Sequence, residues 1–360
     1  MKKSGRPLII PIFIPNAGCP NRCVFCNEKI TAGKGPGLPD EKTFRDDIES
    51  YLARSSPDRP AEIAFYGGTF TALNSDDQKR LLEFASPYLR SGIVQAIRIS
   101  TRPDRIETEN ILFLKGRGVR TVEIGAQSLV DRVLLETKRG HSAEDVCRAV
   151  SIVSDAGLNA GVHLMAGLPG ENKHDFMTSV RKTISLAPAM VRIHPTIVFK
   201  DTILAQWYNE SRYRPISLDE AVEWCAEALT AFECAGIPVI RIGLQPTADF
   251  DAPGNIAAGP FHPAFRTLVA GFLFHDRATA LLSRLSSRTN KAVFAVNSSR
   301  LSDFKGINGR NMKIIQRNFD QLELSVETDD AMNSSAVFLK AEDKIFKTDL
   351  KEFAPGRTEQ

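Results

Sequence analysis

The stretch LIIPIFIPNAGCPNRCVFCN, residues 8–27, runs an apolar segment of strand length into a turn carrying Cys19, Cys23 and Cys26, with no fourth cysteine nearby. Apolar runs of similar length recur downstream at AEIAFY (61–66), AIRIS (96–100), TVEIG (121–125), NAGVHLM (159–165), MVRIHP (190–195) and PVIRIG (238–243). Segments of helical period separate them. Their starts are marked by side chains that can cap free amides: Asp40, Ser75 with Gln78, Ser142 with Asp145, and Ser217 with Glu220. Strand, helix, strand repetition with right-handed crossovers builds a parallel sheet covered by helices. The fold class expected is therefore α/β, a partial (β/α)6-type TIM-like barrel over residues 1–245.

In that architecture the loops at the C-terminal ends of the strands converge on one face and carry the chemistry. CPNRCVFC follows the first strand, GGTF the second and STRPD the third, with GAQS, GLPGE, HPT and GLQ after the next four. Turns need Gly and Pro anyway, which accounts for any two of these motifs but poorly for all seven. Residues 246–290 open on a Gly/Pro-rich crossing and then turn helical, as an extension. From 291 to 360 the pattern is strand (KAVFAV), helix (NMKIIQRNF) and two strands (QLELSVE, SAVFLKA), a small C-terminal α+β domain.

A chain of 360 residues with 42% hydrophobic and 25% charged content can bury one large core, or a core plus a small appended domain, so it is not disordered. The N-terminal apolar run is broken by Pro11 and Pro15, unlike a secretory signal. Ala17-Gly18-Cys19 mimics the end of a lipoprotein cleavage box, but Asn16 stands where that box wants an aliphatic residue. No apolar run is long enough to span a membrane. Six cysteines without an export signal point to reduced thiols and a cytoplasmic protein. The net charge of +3 is too small to mark a nucleic-acid binder by itself.

A structural zinc site takes four protein ligands. Cys147, Cys225 and Cys234 stand alone on expected helices and read as buried structural thiols. A catalytic zinc with three ligands and a water is one alternative, although three sulfurs in so short a loop would be unusual for it. A [4Fe-4S] cluster fits the ligand count better, because three thiolates leave one iron open for a substrate.

The C-x3-C-x2-C spacing, with Phe25 just before the last cysteine at the end of the first strand, resembles the radical S-adenosylmethionine superfamily. The resemblance extends over residues 8–245. It implies that Cys19, Cys23 and Cys26 hold a [4Fe-4S] cluster whose open iron binds S-adenosylmethionine. It also implies that the reduced cluster cleaves that cofactor to a 5'-deoxyadenosyl radical, which abstracts hydrogen from a substrate. Gly67, Gly68 and Thr69 resemble the glycine-rich motif that meets the methionine amino group. Phe25 would pack near the adenine, to which Gly167 and Leu168 would offer backbone. Gln127 and Arg139 resemble contacts to the ribose and the carboxylate, and Ser100 lies where relatives often carry a ribose-binding glutamate. His194 and Arg241, at strand ends, are candidates for proton transfer and anion binding respectively. A reductant such as flavodoxin or ferredoxin is implied as partner.

VEIGAQS, KRGH and LMAGLPGE resemble the branch that includes oxygen-independent coproporphyrinogen oxidase and the catalytic subunit of Elongator, which modifies wobble uridines in transfer RNA. The chain departs from Elongator in its cysteine spacing and in leaving no room for an acetyltransferase domain. The reading is an Elongator-like radical enzyme with an open substrate. RNA modification leads, with tetrapyrrole modification and a non-catalytic metal-binding RNA adaptor as alternatives. Residues 304–319 add to the RNA reading: Gly306-Ile307-Asn308-Gly309 precedes an amphipathic helix, as the backbone-clamping GxxG loop of a KH module does. Arg300, Lys305, Arg310, Lys313 and Arg317 surround the loop, and the acidic residues after it bring the small domain back to neutrality.

Overall fold

The computed structural model describes residues 7–32, 37–56, 58–244, 250, 252–286 and 289–348. Numbered along the chain, its strands are β1 (Leu8–Phe13), β2 (Ala61–Tyr66), β3 (Ala96–Thr101), β4 (Val119–Gln127), β5 (Asn159–Ala166), β6 (Met190–Pro195) and β7 (Val198–Phe199). They continue with β8 (Val239–Ile242), β9 (Ile256–Ala258), β10 (Lys291–Val296), β11 (Glu323–Thr328), β12 (Val337–Ala341) and β13 (Lys344–Thr348). The chain forms two compact units, Met1–Ile216 with Leu244–Pro260, and Ser217–Gly243 with Phe261–Gln360.

In the first unit, β1 to β6 follow one another in chain order, each parallel to the next, and curl into the expected partial barrel. One side chain in two along these strands is buried and aliphatic or aromatic: Ile63 and Phe65, Ile97 and Ile99, Val122 and Ile124, Val162 and Leu164, Val191 and Ile193. Burying each of them stabilises the unit by about 1.5–3 kcal/mol. The alternate positions carry polar side chains of β2 to β6, Glu62, Arg98, Glu123, His163 and Arg192 among them.

Three of the four expected helix starts stand: Asp40 accepts from the Thr43 amide, and Ser142 with Asp145 and Ser217 with Glu220 form reciprocal capping boxes. The fourth shifts by one residue. Asn74, not Ser75, caps the helix Ser75–Arg90 by accepting from Asp77, and Gln78 turns inward to donate to the Thr71 and Leu73 carbonyls. Cys147 is also a correction. It is exposed, because the helix Ala143–Asp155 buries Val146, Ala149, Val150 and Val153 and position 147 falls outside that stripe. Cys225 is buried as expected and Cys234 only partly so.

The second unit contains the expected small α+β fold. Its sheet runs β11-β10-β12-β13, with β10 parallel to β11 and antiparallel to β12. Phe294, Val296, Val337 and Leu339 from the sheet pack with Phe274, Leu281, Phe304 and Ile315 from its helices. The final strand β13 lies beyond the last strand expected from the sequence. Of the expected strand-end motif at 243–245, Gln245 lies outside the described residues. No helix among the described residues is long and apolar enough to cross a membrane.

Candidate cluster and cofactor site

The cysteine turn begins where β1 ends, and it is sewn to the GGTF turn after β2. Ile14 donates its amide to the Tyr66 carbonyl (2.8 Å), Asn16 to Gly67 (2.7 Å) and Thr69 back to Ala17 (2.8 Å). Glycine is required at the crossing. Gly18 has φ +73°, and a Cβ there would stand 2.3 Å from the Thr69 carbonyl oxygen; a Cβ on Gly68 would stand 2.6 Å from the Ala17 and Ile14 carbonyl oxygens. The two turns expected to carry the cofactor are thus one backbone unit.

On that unit Cys19 Sγ lies 3.2 Å from the Thr69 hydroxyl, and Cys26 Sγ lies 3.8 Å from Glu28 Oε1. Arg139 Nη1 donates to Cys23 Sγ at 2.9 Å. Burial pushes the Cys19 and Cys26 thiols up, and Glu28 and the neighbouring cysteines push them further. The three sulfurs are therefore close enough to feel one another's charge. Among the described residues, however, no three His, Cys, Asp or Glu side chains close around a single point. One zinc would draw its sulfurs to roughly 3.8 Å from each other, given bonds of about 2.3 Å in a tetrahedron. A cube sets each sulfur on a separate iron, so it does not ask the three sulfurs to meet at one point.

Arg139 ties the turn to the strand ends. It is buried, and its remaining nitrogens reach the Gly125 carbonyl and His141 Nε2 (3.2 Å), while Arg102 donates to its own carbonyl. Burial and the Arg139 charge lower His141 to about 4, which leaves the ring neutral and able to accept. Gln127 ends β4 with φ +69°, a left-handed conformation unusual for a side chain of its size, and a Cβ on Gly125 would stand 3.3 Å from its Nε2. Phe25 packs with Val24, Leu204 and Tyr213 in an apolar cluster.

Gly167 and Leu168 were expected to offer backbone to an adenine. Here both amides donate to Glu171 Oε2 (2.9 and 3.2 Å), and the Tyr213 hydroxyl donates to the Gly167 carbonyl (2.6 Å). Burial pushes the Glu171 carboxyl up to about 8. A raised carboxyl favours the protonated fold, so its contribution is complete below the ordinary carboxylate range and is lost as pH rises through 8. Glu171→Gln should flatten the decline in unfolding free energy between pH 5 and 8, measured by urea titration; parallel wild-type and variant curves would remove this role.

The radical SAM superfamily model matches residues 13–183, and the model of the radical SAM C-terminal domain matches residues 188–273. The chain belongs to the radical SAM superfamily. Members are enzymes, and their cofactors are a [4Fe-4S] cluster and S-adenosylmethionine. Among curated relatives, the tRNA uridine(34) acetyltransferase of Methanocaldococcus infernus is 26% identical over 255 residues, covering 60% of this chain and 48% of that protein. Elongator complex protein 3 of Homo sapiens is 27% identical over 188 residues, 47% of this chain and 34% of that protein. Among solved structures, the archaeal Methanocaldococcus infernus Elp3 with its N-terminus deleted superposes with a TM-score of 0.60 at 23% identity, over 75% of this chain and 64% of that one. That likeness shows the shared fold. The chain spans about half the length of the first of these relatives or less.

The partial barrel of this radical SAM protein carries a charged network that the sequence reading did not assign. Glu123, fully buried on β4, accepts from Arg98 Nη1 (2.8 Å), Arg192 Nη2 (3.0 Å) and the Tyr66 hydroxyl (2.9 Å), and meets His163 Nε2 at 2.5 Å. Arg98 also holds Glu62 at 2.7 Å. Burial alone would raise Glu123, but Arg192, His163 and Arg98 outweigh it and hold the carboxyl well below its usual range. Ser100 pairs in register with Glu123, and the His194 ring lies 6.1 Å from that of His163. Arg241 lies on β8, in the second unit. The signal for the network was available. Parallel strands buried on both faces read as continuous apolar runs, whereas Glu62, Arg98, Glu123, His163 and Arg192 interrupt these, one of them on each strand. Glu28 also went unassigned: burial pushes it up to about 7, and its Oε2 accepts from the Thr31 hydroxyl (3.1 Å).

Proposed function

We propose that Cys19, Cys23 and Cys26 hold the cluster of a radical SAM enzyme that modifies RNA. Three sulfurs on one strand-end turn, Cys23 buried and Cys19 and Cys26 partly so, within mutual electrostatic reach and braced by Arg139 at Cys23, support this reading most directly. When bound, the reduced cluster supplies an electron to the sulfonium of S-adenosylmethionine, starting radical chemistry. Thr69 orients Cys19. The GGTF backbone, held against the cysteine turn by Gly68, meets the methionine end. Gln127 and Phe25 take the ribose and adenine, and Arg139 serves as a positioning residue through Cys23 as well as a contact to the carboxylate. Tyr66, Arg192 and His194 on the polar face of the barrel receive the substrate, with His194 as the proton-transfer candidate.

RNA as the substrate rests on the relatives named as tRNA uridine(34) acetyltransferases. Flavodoxin or ferredoxin is the proposed electron donor. Metal analysis of protein reconstituted without oxygen tests the donor set. About four irons and four sulfides per chain are expected, and about one zinc with no sulfide would contradict it.

A further inference from the structure

We infer that the second unit binds single-stranded RNA on the exposed face of its β10-to-β11 segment. The Gly306–Gly309 loop meets the phosphate backbone, and Lys305, Arg310, Lys313 and Arg317 supply the charge. The inference adds a named surface to the RNA reading above and rests on that reading for its biological meaning.

The segment runs β10, helix Leu301–Lys305, the loop Gly306-Ile307-Asn308-Gly309, helix Arg310–Asn318 and β11, with β10 and β11 parallel. Phe304 and Ile315 turn the apolar sides of the two helices into the core. The opposite side is basic. Lys305, Arg310, Lys313 and Arg317 are all exposed, and none has an ion-pair partner among the described residues. Arg310, Lys313 and Arg317 fall at i, i+3 and i+7, along one stripe about 10 Å long. Arg300, by contrast, is paired with Asp303 at 3.1 Å.

Two of the acidic residues that follow in the sequence are held by lysines elsewhere, and a third by a hydroxyl. Glu323 holds Lys291 at 3.0 Å, Glu327 pairs with Lys340, and Asp330 accepts from Ser298. Glu323 and Glu327, which help to even out the charge of the domain, are thus engaged by Lys291 and Lys340 rather than by the loop and its helix. No acidic residue stands in the first turn of the helix Arg310–Asn318, where acidic groups would be favourable and Arg310 and Lys313 are not. A polyanion would relieve that local cost.

The loop is shaped for close approach. Gly306, Asn308 and Gly309 have φ of +72°, +53° and +71°. A Cβ on Gly309 would meet nothing within 4 Å, so that backbone is open to solvent. Asn311 Nδ2 pins the corner to the Gly271 (2.8 Å) and Phe304 (3.1 Å) carbonyls, so little ordering remains for a ligand to impose. A GxxG loop of this kind clamps the backbone of about four nucleotides in KH modules.

The test is fluorescence anisotropy of the reconstituted full chain with a labelled single-stranded RNA of about twelve nucleotides, titrated across salt. Lys313→Ala/Arg317→Ala should weaken binding about tenfold and lower the log–log salt slope by about 1.4, roughly 0.7 for each phosphate left without its cation. Asn308→Asp, which tolerates the left-handed backbone, should also weaken it. Iron content and RNA-independent cofactor cleavage should stay unchanged in both. Equal affinity of wild type and variants would overturn the surface while leaving RNA as substrate. Displacement by polyglutamate as effective as by RNA would reduce it to general anion binding and overturn it too. A wild type that binds no RNA would overturn both the surface and the RNA substrate, with the cofactor chemistry untouched.

Discussion

Cys23→Ala should abolish formation of 5'-deoxyadenosine and leave the fold nearly intact. Cys23 stands at the centre of the turn and is the sulfur that Arg139 reaches, at 2.9 Å. Two thiolates cannot hold a cube whose remaining iron must stay open to a ligand, so the variant should lose most of its iron after reconstitution. The turn itself is held by backbone bonds between Ile14, Asn16, Ala17 and the GGTF segment rather than by sulfur. Circular dichroism and thermal unfolding without metal should therefore match wild type, separating loss of chemistry from loss of fold. Retained cofactor cleavage in Cys23→Ala would remove the cysteine from the ligand set.

The second large effect concerns stability. Glu123→Gln keeps the shape of the side chain but takes away the charge that Arg192 and His163 face and half of what Arg98 faces. Arg98 would retain Glu62, whereas Arg192 would keep only the hydroxyl and ring of Tyr66. Leaving a buried charge without its partner costs about 3–5 kcal/mol, a large part of the 5–15 kcal/mol typical of a folded domain. A lower urea midpoint with an unchanged slope is the expected result. A loss below about 1 kcal/mol would mean that water already reaches the network. The sign with pH is opposite to that of Glu171: Glu123 is held low, so its contribution is present above the ordinary carboxylate range and is lost on acidification.

The parts of this molecule legible in the sequence are those set by short-range pattern. Strands at 61–66 and 190–195 lie where apolar runs placed them, and Ser142 and Ser217 cap as their spacing with Asp145 and Glu220 implies. The cysteine turn was legible because Gly18, Pro20 and three sulfurs fall close together at a strand end. Long-range pairing was not. Arg139 could be picked as a polar group near the site, but its hold on Cys23 spans 116 positions, and no local rule connects them. The polar network announced itself only as a broken apolar alternation, which reads as weakened strand until curvature brings β2 to β6 onto one polar face. At 306–309 sequence composition and structure diverge for a different reason: two of the carboxylates that cancel charge in a count, Glu323 and Glu327, are paired with lysines away from the loop.

The most direct measurement is 5'-deoxyadenosine production by anaerobically reconstituted protein, reduced with dithionite and given S-adenosylmethionine, with and without bulk transfer RNA. The account predicts product in the wild type, more of it with transfer RNA, and none in Cys23→Ala. A full complement of iron with no product under either condition would contradict it and make the cluster structural.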